Sequence, residues 1–575
     1  MLETAGVETD AALIDGWQSR AARARSRLGW TVPGVVARRH AGGASLALAA
    51  PVDQLYTATE VNEWALCATL LARDPARWRD LERSLAVEAL EGAADPALDL
   101  PPVLEEAAAL ERLALLASRE ARPDLTRLLA RAAAHSLPYV LDETLLTLGA
   151  GALGRDFELA ALPAEAAVPW SALGDIPTAV VTGSNGKTTS VRLLAACAEA
   201  RGWRTAYCCT DGVLLGSTLL AGGDYSGPLG ARRVMREQRA RCAIVETARG
   251  GILRRGIALS RAHVALVTNV SPDHFGEYGI DDLDGLADVK LAVAGLLGPD
   301  GLLVLNADDE RLVAKAPTLA HRFGRAPTLG WFSLDDARAL LTAQRAGGAA
   351  TCGVRDGRLL LRHGGAHYDL GRVSDMPLTV GGSAVYNVAN LAGVALAAAA
   401  LGVPPADIAD VCARFGSSVA DNFGRLMRFE RAGVHVLLDY AHNVEGLRGL
   451  LEVAEHLRAG NGRLGTLLGH AGNRQDAEIE ALARVAAGFH PALVVVKENE
   501  AHLRGRAPGE IPRIIHAALL RAGLPASALP VRMSELEAVQ CALEWARPGD
   551  VLALPVHSAA ARAAVLEMLE SWRNP

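Results

Sequence analysis

Residues 178–189 read TAVVTGSNGKTT, a short apolar run that leads through a glycine-rich turn into a helical pattern. In a strand–turn–helix arrangement the backbone N–H groups of the turn point at a bound anion, and the helix dipole adds to the attraction. Lys187 is placed to neutralise phosphate charge, and the hydroxyl of Thr188 to ligate Mg²⁺. An ordinary glycine-rich turn is the alternative. We predict a phosphate-binding loop made of Gly183, Ser184, Asn185, Gly186, Lys187, Thr188 and Thr189.

Two sets of short, β-branched runs alternate with longer helical patterns after residue 170. Alternation of this kind predicts parallel sheets covered by helices. An alanine-rich helical pattern at 384–401 separates the two sets. The first set is TAVVT (178–182), CAIVE (242–246), HVALVT (263–268) and LLVLN (302–306); the second is VHVLLDY (434–440), LGTLLG (464–469), ALVVV (492–496) and DVLALP (550–555).

The length of 575 residues predicts about three domains, at ~100–200 residues each. Residues 1–170 are rich in Leu, Ala and Arg at helical spacing, with a few strand-like pieces such as SLALAAPV (45–52). We therefore expect an α/β protein with a helix-rich N-terminal α+β domain at 1–170. A central domain with a P-loop ATPase-type parallel sheet follows at 171–420, and a Rossmann-like α/β domain at 421–575.

Composition excludes several classes of partner and compartment. The net charge is −7, and no basic block suggests a nucleic-acid or membrane surface. The eight cysteines are scattered and form no Cys-x-x-Cys pair, which fits a reducing compartment. Neither a signal peptide nor an apolar run long enough for a membrane span is visible. We expect a cytoplasmic protein that binds neither nucleic acid nor membrane. Whether it forms a homo-oligomer is left open.

Candidate metal ligands follow two of the predicted strands. Glu246 ends the strand CAIVE, where a buried, unpaired carboxylate would be costly and where it could hold Mg²⁺. The segment TNVSPDHFGEYG (268–279) carries Asp273 and His274 at the strand edge where ligands bind in such sheets. A lone histidine is more often structural than a ligand. Lys290 follows on a helix predicted for 282–296 and by itself reads as a surface lysine.

These elements, in this order, resemble the Mur ligase superfamily. The loop TGSNGKTT and the segment NVSPDHFGEYG are similar to its phosphate loop and its Asp-His segment, and NADDERL (306–312) to a further family stretch. The resemblance implies ATP and two Mg²⁺ ions as cofactors. It also implies that His274 helps to hold the second ion, and that Lys290 is carbamylated and supplies a carboxylate near the metals.

Three further motifs carry the resemblance into the nucleotide site: YNVANLAGVALAAAALG (386–402), NFGRLMRF (422–429) and LLDYAHNVEGL (437–447). By resemblance, Asn387 and Asn390 would line the nucleotide base. Arg425 would reach the phosphates, Asp439 the ribose hydroxyls and His442 the nucleotide. A carboxylate that binds two ribose hydroxyls is also what dinucleotide-binding folds use.

Several segments resemble the cyanophycin synthetases within that superfamily. They are LYTATEVNEWA (55–65), TDGVLLG (210–216), GDYSGP (223–228), VETARGGILRRG (245–256) and KENEAHLRGRAPGE (497–510). Those enzymes carry an ATP-grasp domain between their N-terminal and Mur-like parts. Here the corresponding stretch has a helical pattern and no second glycine-rich phosphate loop. The final segment LPVHSAAARAAVL (554–566) matches no family motif.

The segment 497–510 is where Mur ligases bind the incoming amino acid. Arg504 and Arg506 suit a carboxylate, because a guanidinium can hold one with two hydrogen bonds. Glu498 and Glu500 suit a cationic side chain such as that of arginine. A solvated charged loop fits the pattern equally well. The cyanophycin-like segments add Asp211, Arg249 and Arg254 as candidate substrate-binding residues, for an acceptor related to aspartate.

The resemblance implies an ATP-dependent carboxylate–amine ligase that acts through an acyl phosphate, with Lys187, Glu246, His274, Lys290 and Arg425 as catalytic residues. It would add one amino acid to a small or peptidic carboxylate, since one phosphate loop activates one kind of carboxylate. Alternatives are a peptidoglycan- or folate-type acceptor, and a nucleotide-binding subunit that docks to a partner enzyme.

Overall fold

The computed structural model describes residues 2–4, 9–31, 34–40, 42–75, 105–272, 275, 277–458, 460–499 and 502–572. Its Cα positions form two compact units. The first unit contains the described residues of 1–149, 155–174 and 274–286, and the second contains those of 150–154, 175–273 and 287–575.

The first unit combines helices with two small antiparallel sheets. Its core includes Trp17, which is fully buried and donates a hydrogen bond of 2.8 Å from Nε1 to Asn62 Oδ1. Helix α1 begins after Asp10, whose side chain accepts from Leu13 N and caps the helix. The helices are α1 (Ala11–Arg27), α2 (Leu55–Arg73), α3 (Glu106–Glu120) and α4 (Pro123–Ala134). The sheets have the orders β1-β3-β2 and β4-β5-β6, from β1 (Leu2–Glu3), β2 (Val35–His40), β3 (Gly43–Leu48), β4 (Tyr139–Leu141), β5 (Leu145–Leu148) and β6 (Arg155–Glu158).

The second unit contains a central sheet of eleven described strands, in the order β10-β9-β8-β11-β7-β12-β13-β14-β15-β16-β17. Strands β8 to β15 in this order are parallel, and an antiparallel pair extends each edge. The strands are β7 (Thr178–Thr182), β8 (Thr205–Cys209), β9 (Gly212–Leu215), β10 (Thr218–Gly222), β11 (Cys242–Glu246), β12 (Ala262–Val267), β13 (Leu297–Asn306), β14 (Thr328–Ser333), β15 (Thr351–Arg355), β16 (Arg358–His363) and β17 (Ala366–Arg372).

Helices cover the central sheet, as the near-continuous apolar character of its strands requires. All five residues of β7 are buried, which suits a strand in the middle of a parallel sheet. The helices of residues 187–414 are α5 (Lys187–Ala200), α6 (Pro228–Arg236), α7 (Arg249–Arg255), α8 (Leu283–Lys290), α9 (Glu310–Lys315), α10 (Leu319–Phe323), α11 (Ala339–Ala346), α12 (Val385–Leu401) and α13 (Pro405–Arg414). The alanine-rich α12 packs into the core of this sheet with α5.

The same unit contains a C-terminal sheet of six described strands, in the order β18-β19-β23-β20-β21-β22. Only β18 is antiparallel to its neighbour. The strands are β18 (Met427–Arg431), β19 (Val434–Asp439), β20 (Leu464–Leu468), β21 (Leu493–Lys497), β22 (Val531–Arg532) and β23 (Val551–Pro555). The helices are α14 (Val444–Leu457), α15 (Asp476–Gly488), α16 (Glu510–Arg521), α17 (Glu535–Trp545) and α18 (Ala559–Ser571).

The predicted α/β fold class is confirmed, with a parallel-rich central sheet and a Rossmann-like C-terminal sheet. All eight predicted strands after residue 170 are present. Seven differ from the predicted bounds by at most one residue at either end, and β13 begins at Leu297, five residues before the predicted start. The helix predicted for 282–296 is α-helical only to Lys290, and residues Leu291–Leu296 form a 3₁₀-helix. The domain boundaries near 170 and 421 stay predictions. Within the described residues, no helix has the length and apolar character that crossing a bilayer requires.

Candidate active site

Two glycines determine the shape of the loop between β7 and α5. Gly183 has φ +152° and Gly186 has φ +82°, where residues with a Cβ are strained. A Cβ on Gly183 would lie 1.8 Å from Thr268 Oγ1, and one on Gly186 would lie 2.3 Å from Asn390 Oδ1. A side chain at either position would therefore collide with the loop after β12 or with α12.

The loop after β12 holds the phosphate-binding loop in place. The N–H of Ser184 donates to Asn269 O at 2.9 Å, and the N–H of Asn185 donates to Asn269 Oδ1 at 2.9 Å. These two N–H groups are therefore bound to Asn269 in this structure, and the phosphate-binding role of the loop stays a prediction. Lys187, Thr188 and Thr189 open α5, and the first N–H groups of a helix have no acceptor within it. These three N–H groups are therefore the ones that we expect to bind an anion.

Lys187 lies folded over its own loop. Its Nζ donates to Gly183 O at 3.0 Å and to Ser184 O at 2.8 Å. Its positive charge also favours the ionised form of Glu246 and so lowers the pKa of that carboxyl. The ammonium therefore lies against the backbone of the loop, and its contact with phosphates stays a prediction.

Glu246 is fully buried at the end of β11, the strand directly beside β7. The hydroxyl of Thr188 donates to its Oε2 at 2.8 Å, whereas its Oε1 has no hydrogen-bonding partner in the described part of the chain. Burial raises the pKa of Glu246, and the nearby Lys187, the Thr188 hydrogen bond and Arg425 oppose that rise. An unpartnered carboxylate oxygen beside a hydroxyl is a donor set that suits Mg²⁺.

Arg425 reaches this carboxylate from the segment before β18. Its NH2 donates to Thr210 Oγ1 at 2.8 Å and lies 3.4 Å from Thr188 Oγ1. Its Cζ lies 4.4 Å from the centroid of the Tyr440 ring, a distance at which a cation is attracted to the ring face. The side chain is thus held between the C-terminal sheet and the end of the phosphate-binding loop.

Asn387 and Asn390 lie buried at the start of α12. Asn387 Nδ2 donates to Leu378 O at 3.0 Å, and Asn390 Nδ2 donates to Asn387 Oδ1 at 3.2 Å. A cavity of about 310 Å³ is bordered by Leu378, Arg425 and Leu426 among others. Asn387 thus binds a residue that lines this cavity, whereas neither asparagine is itself among the lining residues.

Asp439 ends β19 and accepts two backbone hydrogen bonds, from Leu426 N at 2.6 Å and from Ala441 N at 2.7 Å. Burial raises its pKa. His442, two residues after Tyr440, lies with its ring edge-on to that residue's ring. Both predicted nucleotide-binding side chains thus belong to one turn after β19.

Asn443 is the last residue of the stretch Asp-Tyr-Ala-His-Asn at 439–443, and its sequence position alone does not mark it as a site residue. Its Oδ1 accepts from Gly446 N and caps α14, and its Nδ2 donates to Asn185 Oδ1 at 2.9 Å. This bond links the turn after β19 directly to the phosphate-binding loop.

Two of the predicted site residues, His274 and Glu500, lie outside the described residues. Lys290, the last residue of α8, is 2% exposed, so it is not the surface lysine that its sequence position alone suggests. Within the described ranges, no cluster of three or more His, Cys, Asp or Glu side chains is arranged to hold a metal. The roles of His274 and Lys290 as metal ligands stay predictions.

The candidate substrate residues lie in different environments. Asp211 pairs with Arg192 and Arg562, so both of its oxygens are engaged. Arg249 is buried at the start of α7, whereas Arg254 is exposed near its end.

The described residues 502–506 contact the loop that follows β20 through His502 O and the side chain of Arg506. Glu498 is 2% exposed; its Oε2 accepts from Gly509 N at 2.7 Å, and its Oε1 has no hydrogen-bonding partner among the described atoms. Arg504 is exposed. Arg506 donates to the carbonyls of Gly472 and Arg474, and it pairs with Asp476 and Glu510. Arg506 therefore stabilises the conformation of the loop. Glu498, through its Oε1, and the exposed Arg504 could each bind a ligand.

A buried polar cluster connects the turn after β19 to the strand that precedes Glu498. Lys497 donates from Nζ to Glu535, and its Nζ lies 3.4 Å from His557 Nδ1. His557 Nε2 is 3.0 Å from Ala441 O. Burial lowers the pKa of both Lys497 and His557, while hydrogen bonding to His557 and the charge of Lys497 hold the pKa of Glu535 below its usual range despite its burial.

Family models match two parts of the chain: the Mur ligase middle domain at residues 181–345, and the glutamate ligase domain of Mur ligases at 424–554. A UDP-N-acetylmuramoyl-L-alanyl-D-glutamate–2,6-diaminopimelate ligase of Alkalilimnicola ehrlichii is 30% identical over 384 residues, which are 65% of this chain and 69% of that protein. The chain belongs to the Mur ligase family.

Cyanophycin synthetases are also similar. That of Nostoc sp. is 34% identical over 342 residues, which are 60% of this chain and 37% of the relative. The chain spans about two fifths of the length of the cyanophycin synthetases that it matches. Among solved structures, Escherichia coli FolC in complex with ADP, at 16% identity and a TM-score of 0.50, covers 69% of this chain and 89% of its own and shows the same fold.

Proposed function

We propose that the chain is an ATP-dependent carboxylate–amine ligase that converts a carboxylate to an acyl phosphate and then to an amide. The observation that carries this proposal is the surroundings of Glu246. A buried carboxylate oxygen without a described partner lies beside Thr188, close to two cationic side chains, Lys187 and Arg425. The free carboxylate oxygen can bind Mg²⁺, and the two cationic side chains can bind the phosphates of ATP.

Thr188 and Glu246 would hold one Mg²⁺ ion, and His274 and a carbamylated Lys290 would hold a second. When bound, Mg²⁺ supplies positive charge that offsets the charge of the ATP phosphates. The unpartnered Oε1 of Glu246 and the adjacent Thr188 hydroxyl support the first assignment. The assignments of His274 and Lys290 rest on the resemblance stated above.

In the first step, an oxygen of the substrate carboxylate attacks the γ-phosphorus of ATP, and ADP leaves. An amine then attacks the acyl carbon, phosphate leaves with the bonding electron pair of the C–O bond, and the nitrogen loses a proton. Lys187, Arg425 and the first N–H groups of α5 would stabilise the negative charge in both steps. Hydrogen bonds that bring the C-terminal sheet to the loop, such as Asn443 to Asn185, would help to keep water from the acyl phosphate.

For the amine, Glu498 supports an amino acid with a cationic side chain, such as arginine. Its Oε2 is fixed by Gly509 N, and its buried Oε1 lacks a partner in the described residues. A guanidinium or an ammonium group would supply the hydrogen bond and the positive charge that this carboxylate oxygen lacks. The exposed Arg504 would bind the carboxylate of the amino acid. Arg506 is left out of the proposed site because its donors are engaged within the loop.

The acceptor is proposed to be a small or peptidic carboxylate related to aspartate, on the likeness to cyanophycin synthetases. Arg249 and Arg254 remain candidate contacts for it. Because one phosphate loop and one buried Glu246 support one activation site, we expect one amino acid to be added per acceptor, without growth of a polymer by this chain alone.

The test is a screen of amino acids with β-aspartyl and γ-glutamyl peptides for ADP release, followed by mass spectrometry of the products. We expect ADP and a single-residue mass increment to appear together, and both to be lost in Lys187→Ala. ADP release that persists in a folded Lys187→Ala protein, or a ladder of repeated additions, would overturn the proposal.

A further inference from the structure

We propose that Arg562 is a positioning residue for Arg425, held in place by Asp211; this inference rests on the proposed function. Arg562 lies on α18, in the segment 554–566 that matches no family motif. Asp211 lies in the turn between β8 and β9 of the central sheet. The two side chains, 351 positions apart in sequence, form an ion pair of 2.8 Å between Arg562 NH2 and Asp211 Oδ1.

The pair is buried and shared with a third residue. Asp211 Oδ2 lies 3.0 Å from Arg192 NH2, and the side chains of Arg562, Arg192 and Asp211 are 3%, 8% and 13% exposed. Arg192 lies on α5, the helix that begins with Lys187, and its NH1 donates to Phe423 O at 2.7 Å. One carboxylate therefore ties the phosphate-loop helix and α18 together.

The neighbouring residue of the same turn contacts Arg425. Thr210 Oγ1 accepts from Arg425 NH2 at 2.8 Å, so the consecutive residues Thr210 and Asp211 each bind one arginine from the C-terminal part. Both guanidinium groups also face Tyr440, at 4.4 Å from the ring centroid for Arg425 Cζ and 5.3 Å for Arg562 Cζ. Arg425 and Arg562 are therefore both positioned by the turn at residues 210–211 and by the ring of Tyr440.

Arg562 also contacts the backbone that carries Arg425. A Cβ on Gly424 would lie 2.9 Å from Arg562 Nε, so the guanidinium packs directly on that residue. Its NH1 donates to His557 O at 2.8 Å, which fixes the start of α18. A shift of Arg562 would displace residues 423–425 and thereby the guanidinium of Arg425.

The negative charge of Asp211 compensates the positive charges of the arginines buried around it. Arg192 and Arg562 both pair with this carboxylate, and Arg425 binds the neighbouring Thr210. The Thr210 hydroxyl lies 3.2 Å from that of Thr188, which binds Glu246. Without Asp211, two buried guanidinium groups lose their counter-charge and are repelled by each other and by Arg425. We therefore assign Asp211 to this ion pair and not to substrate binding.

The experiment compares Arg562→Gln, Arg562→Lys and Asp211→Asn in the full chain with Arg521→Gln as a matched control. Arg521 is an exposed arginine of α16 that pairs with Glu480. A misplaced Arg425 should lower turnover at saturating ATP by up to about 10²-fold, whereas the affinity for MgATP, carried mainly by the loop, should change far less. Arg562→Lys should restore part of the turnover, and the control should behave as the wild type.

Amide hydrogen exchange of residues 422–427 with MgATP bound provides a readout that does not require turnover. We expect faster exchange in Arg562→Gln and Asp211→Asn than in the wild type and in Arg521→Gln. Unchanged exchange and unchanged turnover would overturn the positioning role, as would a turnover loss that only follows the loss of folded protein. If the wild type itself forms no amide, the proposed function fails, while the exchange comparison still decides the role of Arg562.

Discussion

The Thr188 hydroxyl binds one oxygen of Glu246 at 2.8 Å and leaves the other oxygen of that buried carboxylate without a hydrogen-bonding partner in the described chain. An ionised carboxylate in such a place is destabilising until a cation arrives. The free energy of unfolding and the binding of Mg²⁺ are therefore expected to depend on the same carboxylate.

Glu246→Gln should separate these two effects. Removing the buried charge should leave the melting temperature unchanged or raise it without ligand, while MgATP should stabilise the variant much less than the wild type. Turnover should fall by about 10²–10³-fold, as for a single electrostatic contact to the transition state. Thermal unfolding with and without MgATP measures both. A variant that MgATP stabilises as fully as the wild type would argue against Glu246 as a metal ligand.

Gly186→Ala should destabilise the protein and weaken nucleotide binding. The new Cβ would meet Asn390 Oδ1 at 2.3 Å, in addition to the backbone strain at φ +82°. Gly202, after α5, is the matched control because it has φ +88° and nothing within 4 Å of its ideal Cβ. Gly202→Ala should cost about 1–2 kcal/mol from strain alone. Equal losses of unfolding free energy in the two variants would contradict the packing of Asn390 against the loop.

His557 should make the protein sensitive to mild acid. His557 is buried among Lys497, Glu535 and the ring of Tyr440, and burial lowers its pKa below the ordinary value of 6.5. The unfolded chain then binds a proton that the folded chain does not, so the free energy of unfolding falls as the pH drops below 6.5. The pKa of Glu535 is also lowered, but its contribution is lost only at more acidic pH.

Denaturant unfolding between pH 8 and pH 5.5 checks this behaviour. His557→Asn should show a shallower decline in unfolding free energy with falling pH than the wild type, whatever its stability at pH 8. Parallel declines in the two proteins would mean that His557 does not titrate as described.

Lys290→Ala should lose activity that formate or acetate partly restores. A buried lysine beside two cations is repelled as an ammonium and attracted as a carbamate, so a small carboxylate can replace the missing group. The 2% exposure of Lys290 agrees with an interior role. Full activity of Lys290→Ala without added carboxylate would rule out a catalytic role for a carbamate at this position. It would leave the proposed ligase activity in place.

The sequence predicts four of the eleven described strands of the central sheet and four of the six of the C-terminal sheet, because these buried apolar runs stand out by their local spacing. The roles of the phosphate-binding loop and of Glu246 stay predictions. The sequence does not predict that Asn269 occupies the N–H groups of Ser184 and Asn185, since that depends on how two neighbouring loops pack. Nor does it reveal the pairing of Asp211 with Arg562: an arginine in an alanine-rich helix reads as solvated until the fold buries it.

Transfer of ¹⁸O from the acceptor carboxylate to phosphate distinguishes an acyl phosphate route from other routes to the amide. The acceptor carboxylate is labelled with ¹⁸O, and the protein is incubated with ATP, Mg²⁺ and the amine identified in the screen. An acyl phosphate route gives ADP, an amide, and inorganic phosphate that carries one ¹⁸O from the acceptor, because that oxygen leaves with the phosphate. Phosphate without ¹⁸O, or release of AMP and pyrophosphate in place of ADP, would contradict an acyl phosphate route.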